Sequence, residues 1–233
     1  MVDQRIIHTV LTNGRQMYLA RTMLWASKNV SYDGLKLVGK FIIDDSGDSK
    51  YRKWLRDTYP DYLVVEVADT PQGFEYAMNK LWDVVRSADT DFVFHLEDDF
   101  LFPDPVSLID LVSILNENTS MSQVAFKRQP WFANEVAQGG LIQALECNRN
   151  VFTDKTSATG IKYTEHRVLW TANPSVFPKW LIEKYPWPLE RWSESLFAKS
   201  ILRNPGITSA YYGHKYDEPA CIHIGKDKLG RSY

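Results

Sequence analysis

In the first hundred residues, short runs of apolar residues alternate with segments in which apolar residues recur at helical spacing. The apolar runs predict strands over residues 5–12, 36–43, 62–67 and 91–96. The periodic segments predict helices over residues 15–28, 50–58 and 73–87. Near-continuous apolar strands separated by helices are typical of a parallel sheet that is covered by helices on both faces. The pattern therefore predicts an α/β fold.

The pattern is less regular after residue 104. Here we expect helices over residues 105–117, 178–184 and 193–203, and strands over residues 122–127, 167–171 and 220–224. The stretch 128–165 is rich in Gly, Asn, Gln and Thr, and we expect irregular structure with a mobile loop. The length of 233 residues fits a single domain. We expect residues 1–104 and 105–233 to form its two halves, with a smaller part on the C-terminal side.

Composition excludes several classes of protein. The net charge of −2 gives no support for general nucleic-acid binding, which needs clustered basic residues. The sequence shows no signal peptide and no apolar run long enough to span a bilayer. Cys147 and Cys221 are far apart, and we expect two free thiols in a reducing compartment. These features predict a cytoplasmic protein. The eight Trp residues are unusual and fit either core packing or a carbohydrate site.

Polar residues follow three of the predicted strands at the point where each strand ends. They are Thr12 to Arg15, Asp44 to Asp48 and Glu97 to Asp99. Ligands of open α/β sheets bind outside the carboxyl ends of the strands, so we expect these segments to meet at one edge.

The acidic tripeptide Glu97-Asp98-Asp99 is the strongest of these signals. Three adjacent carboxylates repel one another, and a divalent cation relieves the repulsion. Mg²⁺ and Mn²⁺ prefer oxygen ligands and also coordinate diphosphates. In an extended segment, Glu97 and Asp99 point to one side and Asp98 to the other. We therefore expect Asp99 to be the main metal ligand and Glu97 an auxiliary one. The alternative is an acidic turn in solvent.

With these residues in view, the chain resembles glycosyltransferases of the GT-A type. A DxD-like acidic motif after a central strand holds the metal and the nucleotide-sugar diphosphate in that family, and Glu97-Asp98-Asp99 is its counterpart here. TNGRQMYLARTMLWAS resembles the family's opening turn and helix, and FIIDDSGD resembles the acidic turn after its second strand. The resemblance implies that Thr12, Arg15, Asp44 and Asp45 surround the nucleoside.

The C-terminal segment carries a second group of candidates. The resemblance implies that His223 is a further metal ligand. The basic residues Lys226, Lys228 and Arg231 would neutralise the departing nucleoside diphosphate, and the tail could close as a lid. A half-buried histidine followed by a frayed basic tail is the alternative.

The segment from Leu189 to Phe197 opens a predicted helix, where inverting members of the family carry an acidic general base. Such a base removes the proton of the acceptor hydroxyl. Glu194 is the first candidate and Glu190 the second, although Glu is also favoured in a first helical turn by the helix dipole alone. Trp187 and Trp192 could form an acceptor platform, and core packing is the other role open to them.

The expected function is metal-dependent transfer of a sugar from UDP- or GDP-sugar to an acceptor, with Mn²⁺ or Mg²⁺ and with a preference for inversion. A bacterial or phage enzyme is expected. One alternative is a nucleotidyltransferase that makes a nucleotide sugar, although the turn after the first strand lacks the glycines typical of that class. A phosphohydrolase with Asp44 or Asp45 as nucleophile lacks its second carboxylate. An inactive nucleotide- or sugar-binding module is the non-enzyme alternative. The sequence leaves the sugar, the base and the acceptor open.

Overall fold

The computed structural model describes residues 4–146 and 150–225. The strands in these residues are β1 (Arg5–Thr12), β2 (Val30–Ser31), β3 (Lys36–Asp44), β4 (Leu63–Glu66), β5 (Phe92–Glu97), β6 (Phe100–Leu101), β7 (Val106–Ser107), β8 (Met121–Phe126), β9 (Phe152–Thr156), β10 (Lys162–His166), β11 (Ser175–Pro178), β12 (Thr208–Tyr212) and β13 (Ile222–His223). The helices are α1 (Gln16–Asn29), α2 (Ser49–Thr58), α3 (Phe74–Ser87), α4 (Leu108–Glu117), α5 (Ala133–Gln138), α6 (Leu141–Glu146), α7 (Lys179–Lys184) and α8 (Ser193–Leu202).

The main sheet has nine strands in the order β4-β3-β1-β5-β11-β8-β12-β10-β9. The pairs from β4 to β5 are parallel, and so is the pair β8–β12. Only β10 and β11 run against the other seven strands of this sheet. The expected α/β fold, with a mostly parallel central sheet flanked by helices, is therefore confirmed.

The sheet separates two apolar layers. Successive residues of β1 point to opposite faces, so Ile6 and Val10 pack in one layer while Ile7 and Leu11 pack in the other. Helices α1, α2 and α4 cover the first face, and α3, α7 and α8 cover the second. Trp187 is buried in the second layer, where its ring lies 4.9 Å from Trp82 between ring centroids. Core packing is thus the role of Trp187.

The strand expected at 167–171 is wrong. This segment is a loop between β10 and β11, although Trp170 and Thr171 are buried. The side-chain amide of Gln123 replaces a strand partner, because it donates to the Thr171 carbonyl at 2.9 Å and accepts from the Thr171 N–H at 2.8 Å. The apolar run at 167–171 therefore indicates buried residues and not a strand.

The region 128–165 contains more regular structure than its composition predicts. Helices α5 and α6 and strands β9 and β10 lie wholly or partly within it. Cys221 is a buried free thiol, as expected, and Cys147 lies outside the described residues. Across residues 4–146 and 150–225, no helix combines the length and the apolar character needed to cross a membrane.

Candidate active site

A cavity of about 730 Å³ opens at the carboxyl ends of β1 and β5. The register of the sheet explains its position, because Leu11 of β1 pairs with Glu97 of β5 and Thr12 pairs with Asp44 of β3. Most of the residues singled out from the sequence lie in its wall, namely Thr12, Arg15, Glu97, Asp98, Asp99, Glu194 and His223. The segments Thr12 to Arg15 and Glu97 to Asp99 thus meet at one edge of the sheet, as predicted.

All three acidic residues at the end of β5, Glu97, Asp98 and Asp99, line this one cavity. The expectation that Asp98 points away from Glu97 and Asp99 is wrong, because the strand ends at Glu97 and the chain turns at Asp98 and Asp99. Side-chain alternation holds only while the backbone stays extended.

Arg15 binds both aspartates from the start of α1. Its guanidinium donates to Asp98 and lies 2.7 Å from the Asp99 carboxylate. Thr12 donates a hydrogen bond of 2.8 Å to Asp98, and the Thr22 hydroxyl donates to the Asp98 carbonyl. These contacts fix the backbone and the side chains of the acidic turn against β1 and α1.

The three carboxyls differ in their acidity. Burial raises the pKa of Asp98 to about 6, against the opposing charge of Arg15. Burial and the nearby charges of Asp99 and Glu194 raise the pKa of Glu97 well above its usual value. Burial acts in the same direction on Asp99, but the hydrogen bond with His223 and the charge of Arg15 outweigh it and lower the pKa. Asp99 is therefore the most readily ionised of the three.

His223 reaches the acidic turn through a short antiparallel pairing of β13 with β6. Its Nε2 lies 3.3 Å from the Asp99 carboxylate, and its ring packs against Trp131 and Phe100. The Gln129 side chain forms two hydrogen bonds of 2.8 Å with the His223 backbone. Sequence reasoning found His223 but missed Gln129, which fixes its position.

The carboxylate of Asp99 and the imidazole of His223 fit a small divalent cation that takes its further ligands from a diphosphate. Among the described residues, no group of three or more His, Cys, Asp or Glu side chains is arranged to enclose a metal ion. Mg²⁺ is usually held by one or two carboxylates together with substrate phosphates and water. The separation of 3.3 Å between Asp99 and His223 matches the roughly 3 Å between adjacent ligands of an octahedral ion.

Glu194 lies in the first turn of α8 and lines the cavity. Its carboxylate accepts a hydrogen bond of 2.8 Å from the Ala172 N–H, and the Thr171 hydroxyl also bonds to it. Burial raises the pKa of Glu194 in spite of these contacts. Glu190, the second candidate, is exposed and lies outside the cavity wall because it precedes the turn that opens α8.

A second cavity of about 1040 Å³ adjoins the first. The two share part of their walls, including Glu97, Asn173, Glu194 and His223. The second cavity extends over Trp131 and an apolar surface of α6 and α8. Glu194 therefore lies where two separate ligands could meet.

Asp44 and Asp45 do not line either cavity. Asp44 is fully buried and forms an ion pair of 2.9 Å with Arg52 of α2. Asp45 accepts hydrogen bonds from the backbone N–H groups of Gln72 and Gly73. Groups of the protein itself thus bind both carboxylates. Lys226, Lys228 and Arg231 lie outside the described residues.

Trp192 lies at the mouth of the first cavity with 66% of its surface exposed. Its backbone is left-handed, with φ of 67°, which is uncommon for a bulky residue. Other wall residues that the sequence analysis did not assign are Asn13, Gln72, Gly73, Phe74, Glu75, Asn173, Arg191 and Ser195. Asn13, Arg191 and Ser195 lie inside segments that the sequence analysis selects, whereas the sequence gives no reason to select the others.

Comparison with known proteins gives matches of structure only. No protein-family model and no curated protein sequence matches the chain. The mannosyltransferase PcManGT from Pyrobaculum calidifontis, solved in complex with GDP-Man and Mn²⁺, superposes with a TM-score of 0.62 at 15% identity, over 96% of this chain and 58% of its own. Residues 1–349 of TarS from S. aureus give 0.60 at 14% identity, over 95% and 60%. The complex of that TarS fragment with UDP gives 0.59 at 14% identity, over 94% and 60%.

The first of these neighbours is a mannosyltransferase and the TarS fragment was solved with UDP, and the chain has their mixed α/β fold, as the sequence predicts. It spans about three fifths of the length of these solved chains.

Proposed function

We propose that the chain is a metal-dependent glycosyltransferase that transfers a sugar from a nucleotide-diphosphate sugar to a separate acceptor. The observation that carries the proposal is the convergence of Asp98, Asp99, Arg15 and His223 at the carboxyl ends of β1 and β5. The fold supports it, because the neighbours were solved with GDP-Man and Mn²⁺ and with UDP.

Asp99 and His223 would hold a Mn²⁺ or Mg²⁺ ion, with Glu97 as the auxiliary group. When bound, the cation neutralises the diphosphate and makes it a better leaving group. Arg15 already lies beside both aspartates and offers a guanidinium that can pair with a phosphate oxygen. We assign residues 1–104 to nucleotide-sugar binding and 105–233 to acceptor binding and catalysis within one domain, with His223 as the second half's contribution to the cation.

Glu194 is the proposed general base. It would accept the proton of the acceptor hydroxyl while the acceptor oxygen forms its bond to the anomeric carbon. The bond between that carbon and the diphosphate oxygen breaks, and the electron pair leaves with the nucleoside diphosphate. Displacement of the diphosphate by the acceptor oxygen in a single step inverts the anomeric centre, and a base in the wall shared by the two cavities would serve such a step.

Thermal unfolding with a panel of UDP- and GDP-sugars, with and without Mn²⁺, tests the proposal. A donor at about a hundred times its Kd stabilises a protein by about 2.7 kcal/mol. For a chain of this size, that stabilisation raises Tm by roughly 5–10 °C. We expect the rise to require Mn²⁺ and to disappear in Asp99→Asn. Asp104→Asn changes an exposed aspartate outside both cavities and should behave like the wild type.

Two results would overturn the proposal. One is a panel without any stabilising donor, and the other is stabilisation that persists in Asp99→Asn. Release of nucleoside diphosphate from the stabilising donor, followed without acceptor, separates an enzyme from an inactive binding module. A nucleotidyltransferase would instead release pyrophosphate from a nucleoside triphosphate.

A further inference from the structure

A third cavity, of about 540 Å³, lies on the sheet face covered by α1. Its wall is formed by one side of α1, by His8 of β1, by Lys40 of β3, and by the tyrosines Tyr32, Tyr59 and Tyr62. Within the described residues, it shares no wall residue with the two cavities of the candidate active site. Any ligand here is therefore separate from the donor and the acceptor.

Two polar side-chain atoms in this wall are buried without a hydrogen-bond partner in the described part of the chain. They are His8 Nε2 and the Tyr32 hydroxyl. His8 is only 3% exposed, and its Nδ1 already lies 3.0 Å from the Tyr62 hydroxyl. Both atoms are closed off as the side chains stand, and because an unsatisfied buried polar group costs about 1–3 kcal/mol, a small movement that opens either atom to a partner in the cavity is favoured.

The missing partner is best matched by a hydroxyl group. Depending on the tautomer of His8, Nε2 either donates or accepts a hydrogen bond, and the Tyr32 hydroxyl can do both. A ligand hydroxyl satisfies either arrangement, whereas a carboxylate oxygen can only accept. Adjacent hydroxyls on one ring could serve His8 and Tyr32 together.

The remaining wall favours a neutral ring. Burial lowers the pKa of His8 to about 3 and raises the pKa values of Tyr32 and Tyr62, so all three are uncharged at neutral pH. The charges at the rim balance each other, since Lys40 Nζ lies 3.9 Å from the Asp61 carboxylate and 5.5 Å from the centre of the Tyr62 ring. Aromatic side chains offer apolar faces to a ring and, in Tyr, a polar tip.

We propose that this cavity is a second binding site, which takes a neutral saccharide. The apolar C–H face of a sugar ring would pack on the tyrosines, and its hydroxyls would bond to His8 and Tyr32. The volume lies within the range of small-molecule sites and far exceeds the roughly 30 Å³ of one water molecule. The site goes beyond the transfer reaction, because it needs neither cation nor nucleotide.

Saturation-transfer NMR tests the site with glucose, galactose, mannose, N-acetylglucosamine and cellobiose as probes, without nucleotide or metal. Ser27→Trp places an indole at an exposed position of α1 that borders the cavity and should weaken binding at least tenfold. Lys28→Trp, the adjacent exposed position outside the cavity wall, should bind as the wild type does. Tyr32→Phe removes one hydroxyl and should weaken binding about threefold to tenfold.

Failure of this site is distinguishable from failure of the proposed function. Mn²⁺-dependent stabilisation by a nucleotide sugar should be the same in Ser27→Trp and Lys28→Trp, which also shows that both variants are folded. If no probe receives saturation from the wild type, the cavity holds water only and the proposal is overturned. Binding that persists in Ser27→Trp places the sugar elsewhere and overturns it as well.

Discussion

Gly225 shows how closely the chain approaches the acidic side chains of the candidate site. A Cβ atom at this position would overlap the Asp99 carboxylate and would lie 3.1 Å from Arg15 Nη1. The backbone that follows β13 passes the Asp99 carboxylate at Gly225. The contact between His223 and Asp99 therefore requires a residue without a side chain at position 225.

Gly225→Ala is expected to displace Asp99 and to weaken Mn²⁺-dependent nucleotide-sugar binding about tenfold or more. Calorimetric titration of the donor in the presence of Mn²⁺ measures the effect. Gly206→Ala is the matched control, because the added Cβ there would only touch the Asn204 side chain at 3.4 Å on the surface. Equal donor affinity in Gly225→Ala and the wild type would contradict the assignment of Asp99.

Individual residues of the cavity could be predicted where a strand end dictates their position. Thr12 and Glu97 follow directly from the ends of β1 and β5. Asp44 also ends a strand, but its carboxylate accepts a hydrogen bond from Arg52, which lies eight residues further along the chain on α2. Whether a carboxylate meets a partner inside the protein or a ligand outside depends on packing that the sequence does not display.

At the scale of elements, the turn that opens α8 distinguishes the two candidate bases. Trp192 has a left-handed backbone directly before α8; Glu190 precedes this turn and is exposed, whereas Glu194 follows it and lies in the wall shared by the two cavities. The sequence offered both residues in similar surroundings, so only the geometry of the turn separates them.

Glu194→Gln should lower kcat by about 10²–10⁴-fold, because the amide can still accept from the Ala172 N–H but cannot take up a proton. Glu190→Gln should retain wild-type activity. Steady-state kinetics of nucleoside-diphosphate release with an active acceptor compares the two variants. The opposite order of activities, or no loss in either, would show that Glu194 is not the base.

The strain at Trp192 predicts an unusual order of stability. A residue with a Cβ costs about 1–2 kcal/mol in the left-handed region, whereas glycine adopts it freely. Trp192→Gly should therefore be more stable than Trp192→Ala by about 1 kcal/mol in urea unfolding, although Gly is normally the less stable of the two. If Ala proves the more stable, the backbone at this turn is not left-handed in solution.

The first half of the fold could be predicted well, because long apolar strands and periodic helices carry their own signal. In the second half, α4, α7, α8 and β8 could also be predicted, but β9 to β12, which are only four or five residues long, could not. Short antiparallel strands show little periodicity, and a buried loop such as 167–171 is as apolar as a strand. Here tertiary contacts decide the secondary structure.

Across the whole molecule, several ionisable side chains are buried in their neutral form. Burial lowers the pKa values of His8, His95 and His166 to about 3. Between pH 6.5 and 3, the unfolded chain binds a proton at each histidine that the folded chain does not bind. Each histidine therefore contributes stability above pH 6.5 that is lost as the pH falls.

His166 tests this linkage in the outer part of the sheet, where it packs between Phe152 and Tyr211. His166→Phe should make the fall in unfolding free energy between pH 6 and pH 5 smaller by about 1 kcal/mol. Urea unfolding of both proteins across this range measures the difference. Parallel curves for His166→Phe and the wild type would mean that His166 is protonated equally in the folded and unfolded states.

The contact of Arg15 with both aspartates has a consequence for the order in which ligands arrive. The guanidinium is a tethered counterion, so a bare cation entering the cavity has to compete with a positive charge that is already in place. A diphosphate offers Arg15 a new partner at the same moment as it supplies the cation with further oxygen ligands. Under the proposed function, we therefore expect a dissolved cation alone to bind weakly and the cation and the diphosphate to bind together.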